Sequence, residues 1–247
     1  MRIVVISDVH ANLVALRAVL KASDELKPDA LWCLGDVAGY GPEPQACIEG
    51  VQEAASLCLA GNHDLAVLGR LPLADFSADA RAAAAWQQGR LDAEALDWLG
   101  RLPSLTEEAG VTLTHGSPRG PVWEYVTNEG AATANAAYFD TPLCLIGHSH
   151  LAIAWQLEAS HRRQRAALVR LSPGETLDLS GQKRWLLNPG SVGQPRDGDP
   201  RASYALLDTG ALTWTWYRQD YDIAAVERAI RAAGLPPRLG QRLYAGW

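Results

Sequence analysis

The sequence predicts an α/β fold in which two stacked β-sheets are flanked by helices. Three observations carry that expectation. The first sixty residues alternate short strand-like runs with helical stripes, the pattern of parallel strands joined by right-handed crossovers. Beyond residue 110, strand-like runs succeed one another between turn signals, the texture of hairpins. No Ser/Gly-rich linker, charge block or internal repeat divides the chain, so residues 1–247 are expected to form a single domain.

Residues 3–7 form a continuous apolar, β-branched run, as expected of a strand covered on both faces. Residues 12–26 then place Leu13, Leu16, Val19 and Leu20 on one helical stripe. Residues 30–34 predict a second strand, 44–54 a helix and 56–60 a third strand. The stretch 65–100 is Ala-rich and helical in tone, with Ala82 to Ala85 and a stripe of Leu91, Leu96 and Leu99. Further strands are predicted at 111–114, 143–146, 151–157, 184–187, 203–207 and 212–217. They are divided by Ser117-Pro118, Ser172-Pro173-Gly174, Asn188-Pro189-Gly190 and Asp208-Thr209-Gly210. Residues 222–233 close the chain as an amphipathic helix.

Composition excludes several classes. Apolar residues at 48% and charged residues at 20% fit a soluble globular protein rather than a disordered or fibrous one. A net charge of −6 argues against a broad duplex-binding face, so stable nucleic-acid binding is not expected. The short N-terminal apolar run ends in Asp8 and reads as a strand rather than an export signal. No stretch approaches the ~18 apolar residues of a membrane helix, and a cytoplasmic location is expected. Cys33, Cys47, Cys58 and Cys144 show no Cys-x-x-Cys pairing and read as buried, reduced thiols.

The chemistry gathers at predicted strand ends. These are Asp8-Val9-His10, Gly35-Asp36, Gly61-Asn62-His63-Asp64, His115-Gly116 and Gly147-His148-Ser149-His150. Ligands of α/β sheets gather outside the carboxyl ends of strands, where separate segments can converge. Of six histidines, five lie at these ends, and only His161 stands apart, in the basic run His161-Arg162-Arg163-Gln164-Arg165. That run reads as a solvated surface segment. Carboxylate, amide and imidazole donors without thiolate suit divalent first-row metals rather than a structural zinc knot. Seven such side chains are too many for one ion but suit two with a carboxylate between them. In Asp-x-His and His-x-His, alternate side chains of an extended segment would point the same way.

This ordered series, from residue 8 to 150, resembles the calcineurin-like metallophosphoesterase superfamily. Asn188-Pro189-Gly190-Ser191-Val192-Gly193 is similar to the next loop of its small bacterial and archaeal members. The resemblance implies a four-layer αββα sandwich of two mixed sheets. It implies one metal held by Asp8, His10, Asp36 and His150, and a second by Asp36, Asn62, His115 and His148, with Asp36 bridging. Manganese is expected first, with iron, zinc, nickel or cobalt as alternatives. The function implied is metal-dependent hydrolysis of phosphomonoesters or phosphodiesters by in-line attack of a hydroxide shared between the cations. His63 adjoins Asn62 without matching a ligand position, and is the candidate proton donor to the leaving group.

The chain also departs from its relatives. Family protein phosphatases carry Asp-Arg where this chain has Gly39-Tyr40, and Arg where it has Ala60. Tyr40, Arg119 and Arg196 are candidate substrate-binding residues, with Trp123 and Tyr125 as cleft walls. The expected partner is a small phosphoester, nucleotides included, and a homo-oligomer is compatible with the sequence. The alternatives are a dinucleoside polyphosphate hydrolase, a protein Ser/Thr phosphatase, or a non-catalytic scaffold of the same fold.

Overall fold

The computed structural model describes residues 1–157 and 165–247. The basic run therefore lies, apart from Arg165, outside the described residues. Arg165 itself pairs with Glu129 at 2.6 Å.

The first part of the chain alternates as its sequence predicts. It runs β1 (Arg2–Ile6), α1 (Leu13–Asp24), β2 (Ala30–Cys33), α2 (Pro44–Ala54) and β3 (Leu57–Cys58), with the three strands parallel. The Ala-rich stretch resolves into α3 (Asn62–Val67), α4 (Ala78–Gln88) and α5 (Ala93–Arg101). Ser77 and Asp92 start the last two by accepting from the backbone N–H of Ala80 and Ala95. Then come β4 (Leu105–Glu108), β5 (Val111–Thr114), α6 (Glu129–Asn135), β6 (Leu143–Leu145), β7 (Ala152–Leu157), β8 (Ala166–Val169) and β9 (Thr176–Asp178). The chain ends in β10 (Arg184–Pro189), β11 (Ala202–Asp208), β12 (Thr213–Gln219), α7 (Ile223–Ala232) and α8 (Arg238–Gln241).

The strands form two mixed sheets of six, ordered β3-β2-β1-β11-β12-β9 and β4-β5-β6-β10-β7-β8. The sheets do not respect the two halves of the sequence. The β11–β12 hairpin returns to pair antiparallel with β1, while β5, β6 and β10 run parallel in the second sheet. Three strands that the sequence does not predict, β4, β8 and β9, are all edge strands. Their residues are largely exposed or half-buried, so they carry no apolar alternation to read.

Packing produces four layers. In β1, Ile3 and Val5 face the second sheet, where they meet Leu113, Leu145, Trp185 and Leu187. Val4 and Ile6 face the helices instead, among Leu16, Val19, Ile48 and Val51. The β-branched run is buried on both sides for that reason. The outer face of the second sheet packs Leu186, Cys144 and Trp155 against Ala132 and Ala136 from α6 and its C-terminal end. All four cysteines are buried and free. Among the described residues no helix is long and apolar enough to cross a membrane.

Candidate metal centre

The loops that leave β1 and β2 run side by side, because Asp8 N, His10 N and Ala11 N donate to the carbonyls of Gly35, Asp36 and Val37 at 2.8 to 3.0 Å. Neither Asp8-Val9-His10 nor His148-Ser149-His150 is extended, contrary to the expectation from alternation. Asp8, His10, Asp36, His148 and His150 all have φ between +50° and +62°. Left-handed backbone at non-glycine residues costs about 1–3 kcal/mol each and persists only where the surroundings impose it. The side chains converge through these turns and not through strand pleating.

The convergence is tight. Three sets of ligand atoms each lie mutually within 4.8 Å: Asp8, His10 and His150; His10, Asp36 and His63; Asp36, His115 and His148. His150 Nε2 is 3.4 Å and His10 Nε2 3.8 Å from Asp8 Oδ1. Asp36 Oδ2 is 3.4 Å from His115 Nε2 and 3.7 Å from His10 Nε2, and so stands between the two sets. Asn62 Oδ1 joins at 3.2 Å from His115 Nε2. All seven predicted ligand side chains are at least nine-tenths buried.

The donor chemistry of this cage fits divalent metal. His10, His115 and His150 each point Nδ1 at a backbone carbonyl, of Ala38, Leu34 and Gln194 respectively, at 2.6 to 3.0 Å. A carbonyl only accepts, so each Nδ1 carries the proton and each Nε2 faces inward, as for a metal-ligating imidazole. The Nε2 atoms of His10 and His150 face each other at 3.1 Å. Two lone pairs so placed repel unless a cation lies beside both. Asp8 Oδ1, Asp36 Oδ2 and His148 Nε2 are buried without any hydrogen-bond partner among the described residues. Buried polar atoms without partners are costly, and bound metal would satisfy them.

The electrostatics agree with this. Burial pushes the pKa values of His10 and His150 well down, and that of His148 to about 3, which keeps them neutral and ready to ligate. Burial also pushes the Asp8 carboxyl up to about 7, and the neighbouring Asp36 adds to the shift. On Asp36 the desolvation is outweighed by His115 and His63, and the carboxyl is held well below its usual range. Burial opposes a charge on His115 too, yet Asp36 and Asp8 raise it to about 10. The two carboxylates thus make the position of His115 favourable for positive charge.

Residues outside the predicted set hold the cage in shape. Asp64, beside His63, turns away from it and accepts backbone N–H bonds from Asp36, Ala38 and Gly61 at 2.8 to 2.9 Å. Gly61 has to be glycine, since an added Cβ would sit 2.0 Å from Asp36 Oδ1. Ser191 Oγ donates to the Asp8 carbonyl at 2.8 Å, and Asn188 Nδ2 to the Gly147 carbonyl at 2.7 Å. The Asn-Pro-Gly-Ser loop therefore ties two ligand loops together and supplies no ligand itself. Gln87 of α4 grips the loop of Gly39, Tyr40 and Gly41 from both sides, accepting from Gly39 N and donating to Gly41 O at 2.7 Å.

His63 sits in ring contacts, 4.4 Å from Tyr40, 4.9 Å from His10 and 5.1 Å from Phe76. Its Nδ1 is buried without a partner among the described residues, so no carboxylate orients it there, and burial lowers its pKa to about 4. A Cβ on Gly39 would meet Nδ1 at 2.3 Å, and Gly39 has φ +91°. Gly39→Ala is therefore expected to displace the imidazole and, for esters with alkyl leaving groups, to lower kcat by about tenfold or more with bound metal unchanged. Steady-state kinetics with metal analysis checks this, and unchanged kcat would show that His63 has room to yield.

The other predicted residues divide. Arg196 donates to Tyr40 Oη at 3.2 Å and to Gln194 Oε1 at 2.8 Å, at the edge of the cage. Arg119 is instead committed to Glu124, which also accepts from Ser117 Oγ and, at 3.0 Å, from Asn135 Nδ2. Arg119 beside it lowers the Glu124 carboxyl to about 2 from an ordinary 4.5. The native state thus binds fewer protons than the unfolded chain. The stability from this cluster is complete above about pH 4.5 and fades as pH falls toward 2. Glu124→Gln is expected to flatten this part of the acid-denaturation profile, and identical slopes for mutant and parent would discount the pairing.

Known proteins share this sequence and fold. A family model described as the calcineurin-like phosphoesterase superfamily domain matches residues 1–211. MJ0912 of Methanocaldococcus jannaschii is 35% identical over 249 residues, covering 99% of this chain and 98% of that protein. The phosphodiesterase YfcE of Escherichia coli is 27% identical over 226 residues, covering 86% and 90%. The crystal structure of a metallophosphoesterase from Sphaerobacter thermophilus matches with a TM-score of 0.89 and 46% identity over 100% of both chains.

Proposed function

Because the chain belongs to the calcineurin-like phosphoesterase superfamily, we propose that it is a dinuclear, metal-dependent hydrolase of phosphate esters. The observation that carries this reading is the pair of inward-facing Nε2 atoms, of His10 and His150, 3.1 Å apart beside the unpartnered Oδ1 of Asp8. We assign one cation to Asp8, His10, Asp36 and His150, and the other to Asp36, Asn62, His115 and His148. Oxygen and imidazole donors without thiolate favour manganese or a similar first-row ion. Metal held by these residues would supply an acidified water and charge neutralisation for phosphoryl oxygens.

The protein's own groups do the rest. Arg196 is free to offer its guanidinium to a phosphoryl oxygen by giving up two neutral partners, Tyr40 and Gln194. Arg119 would have to break its ion pair with Glu124 to do the same. His63 donates its ring proton to the leaving oxygen, and the negative charge of a bound ester raises the basicity that burial lowers. Gly39 leaves no space for a carboxylate behind His63, which weakens the protein phosphatase and dinucleoside polyphosphate alternatives. A diester substrate is supported by the activity named for YfcE.

Chelator-treated protein is expected to gain thermal stability on addition of Mn²⁺, about 2.7 kcal/mol at a hundredfold excess over Kd. It should bind two ions per chain and hydrolyse bis-p-nitrophenyl phosphate. Two bound ions with no turnover of any mono- or diester would favour the scaffold reading. No bound ions would sink the proposal.

A further inference from the structure

The mouth of the cage carries aromatic rings that metal binding does not use. At one end Tyr40 meets His10 edge-on at 4.7 Å and tilts over His63. At the other, Tyr125 stacks on His148 with centroids 4.0 Å apart and planes 24° from parallel. Trp123 stands edge-on to His148 at 6.4 Å and contacts Phe76 at 5.0 Å, which links the two ends through His63. Arg196 lies between, donating to the Tyr40 hydroxyl and interacting with that of Tyr125. Its Nε is buried without a hydrogen-bond partner among the described residues.

Trp123 is 40% and Tyr125 48% exposed, yet their loop is rigidly built. Gly116 N and Ser117 N donate to the carbonyls of Pro121 and Gly120, and Glu124 N donates to Gly120 O. The Glu124 side chain gathers Ser117, Arg119 and Asn135, and Trp155 Nε1 holds the Val126 carbonyl at 3.4 Å. Large rings exposed on such a loop beside a buried polar site form a preorganised platform, with their ordering cost already met in the free protein. A ring surface at each end of the cage gives either substituent of a phosphodiester a flat partner. A monoester would leave one end uncovered.

We infer that Trp123 and Tyr125 contact the substrate and determine specificity, selecting phosphodiesters whose retained ester group carries a planar aromatic ring, as a nucleoside does in its base. The inference rests on the phosphoesterase reading and narrows it to a substrate class. Arg196 then holds a phosphoryl oxygen while the rings cover the retained group.

The test uses Mn²⁺-loaded full-length protein and three diesters with the same p-nitrophenolate leaving group. The retained group is methyl, phenyl or 5′-thymidyl. Wild type is expected to show kcat/KM at least about tenfold higher for the phenyl and thymidyl esters than for the methyl ester, through KM. In Trp123→Leu and Tyr125→Leu that ratio should collapse toward one. Calorimetry adds a readout independent of turnover: AMP should bind wild type at least about tenfold more tightly than ribose 5-phosphate, a margin the variants lose. Equal kcat/KM for the three esters, or an equal loss on all three in the variants, overturns the inference while leaving the hydrolase intact. If no ester is turned over, the phosphoesterase reading fails instead, and AMP against ribose 5-phosphate alone decides whether the rings select a planar group.

Discussion

Asp36→Ala is expected to bind fewer than two divalent ions per chain and to lose at least about 10³-fold in kcat/KM, or about 4 kcal/mol of transition-state stabilisation. The reason is positional. Asp36 Oδ2 lies within 3.7 Å of both His10 Nε2 and His115 Nε2, which belong to different ligand sets. The other oxygen, Oδ1, accepts the backbone N–H of His63 at 2.8 Å. Deleting the carboxylate would therefore remove a donor from both proposed ligand sets and loosen the N-terminus of α3. Asp36→Asn keeps an acceptor for His63 N and should retain the fold while losing affinity for metal, which separates the two effects. Metal analysis of both variants beside a melting curve checks this. Two ions retained by Asp36→Ala would remove the aspartate from its bridging place.

His63→Ala is expected to keep both ions and lose about 10² to 10⁴ in kcat on esters with alkyl leaving groups. Nitrophenolate leaves without a proton, so on nitrophenyl esters the loss should stay under about tenfold. The contrast between leaving groups is the diagnostic, because mere disruption would lower both alike. It also tests a second role that the geometry raises, since His63 lies within 4.8 Å of the ligand atoms of His10 and Asp36. A variant short of one ion would make His63 a ligand, and equal losses on both ester types would discard it as the proton donor.

Much of this site is legible in one dimension because its donors fall at the ends of apolar runs. Strands such as β1 are readable from hydrophobicity alone, since both faces are buried. Immediately after such a strand the chain enters a loop that can present polar groups, so Asp8, Asp36, His115 and His148 stand out by position. The edge strands β4, β8 and β9 are unreadable for the converse reason. So are the residues that hold the cage. Asp64, Gln87, Asn188 and Ser191 act through backbone groups of distant loops, and a backbone carbonyl leaves no trace in the residue it belongs to.

The order and chemical type of the donors, and the α/β alternation that brings them to one end of the sheets, are properties of the chain read by itself. Hydrophobic periodicity and side-chain identity are local, and local quantities survive in a sequence. The left-handed turns at Asp8, His10, Asp36, His148 and His150, the Nδ1 bonds that turn each Nε2 inward, and the aromatic rim depend on contacts between residues as far apart as Asp8 and Ser191 or Tyr40 and Arg196. Only tertiary packing decides those. Such strained and desolvated arrangements are unfavourable in isolation and exist only while the surrounding structure compensates for them.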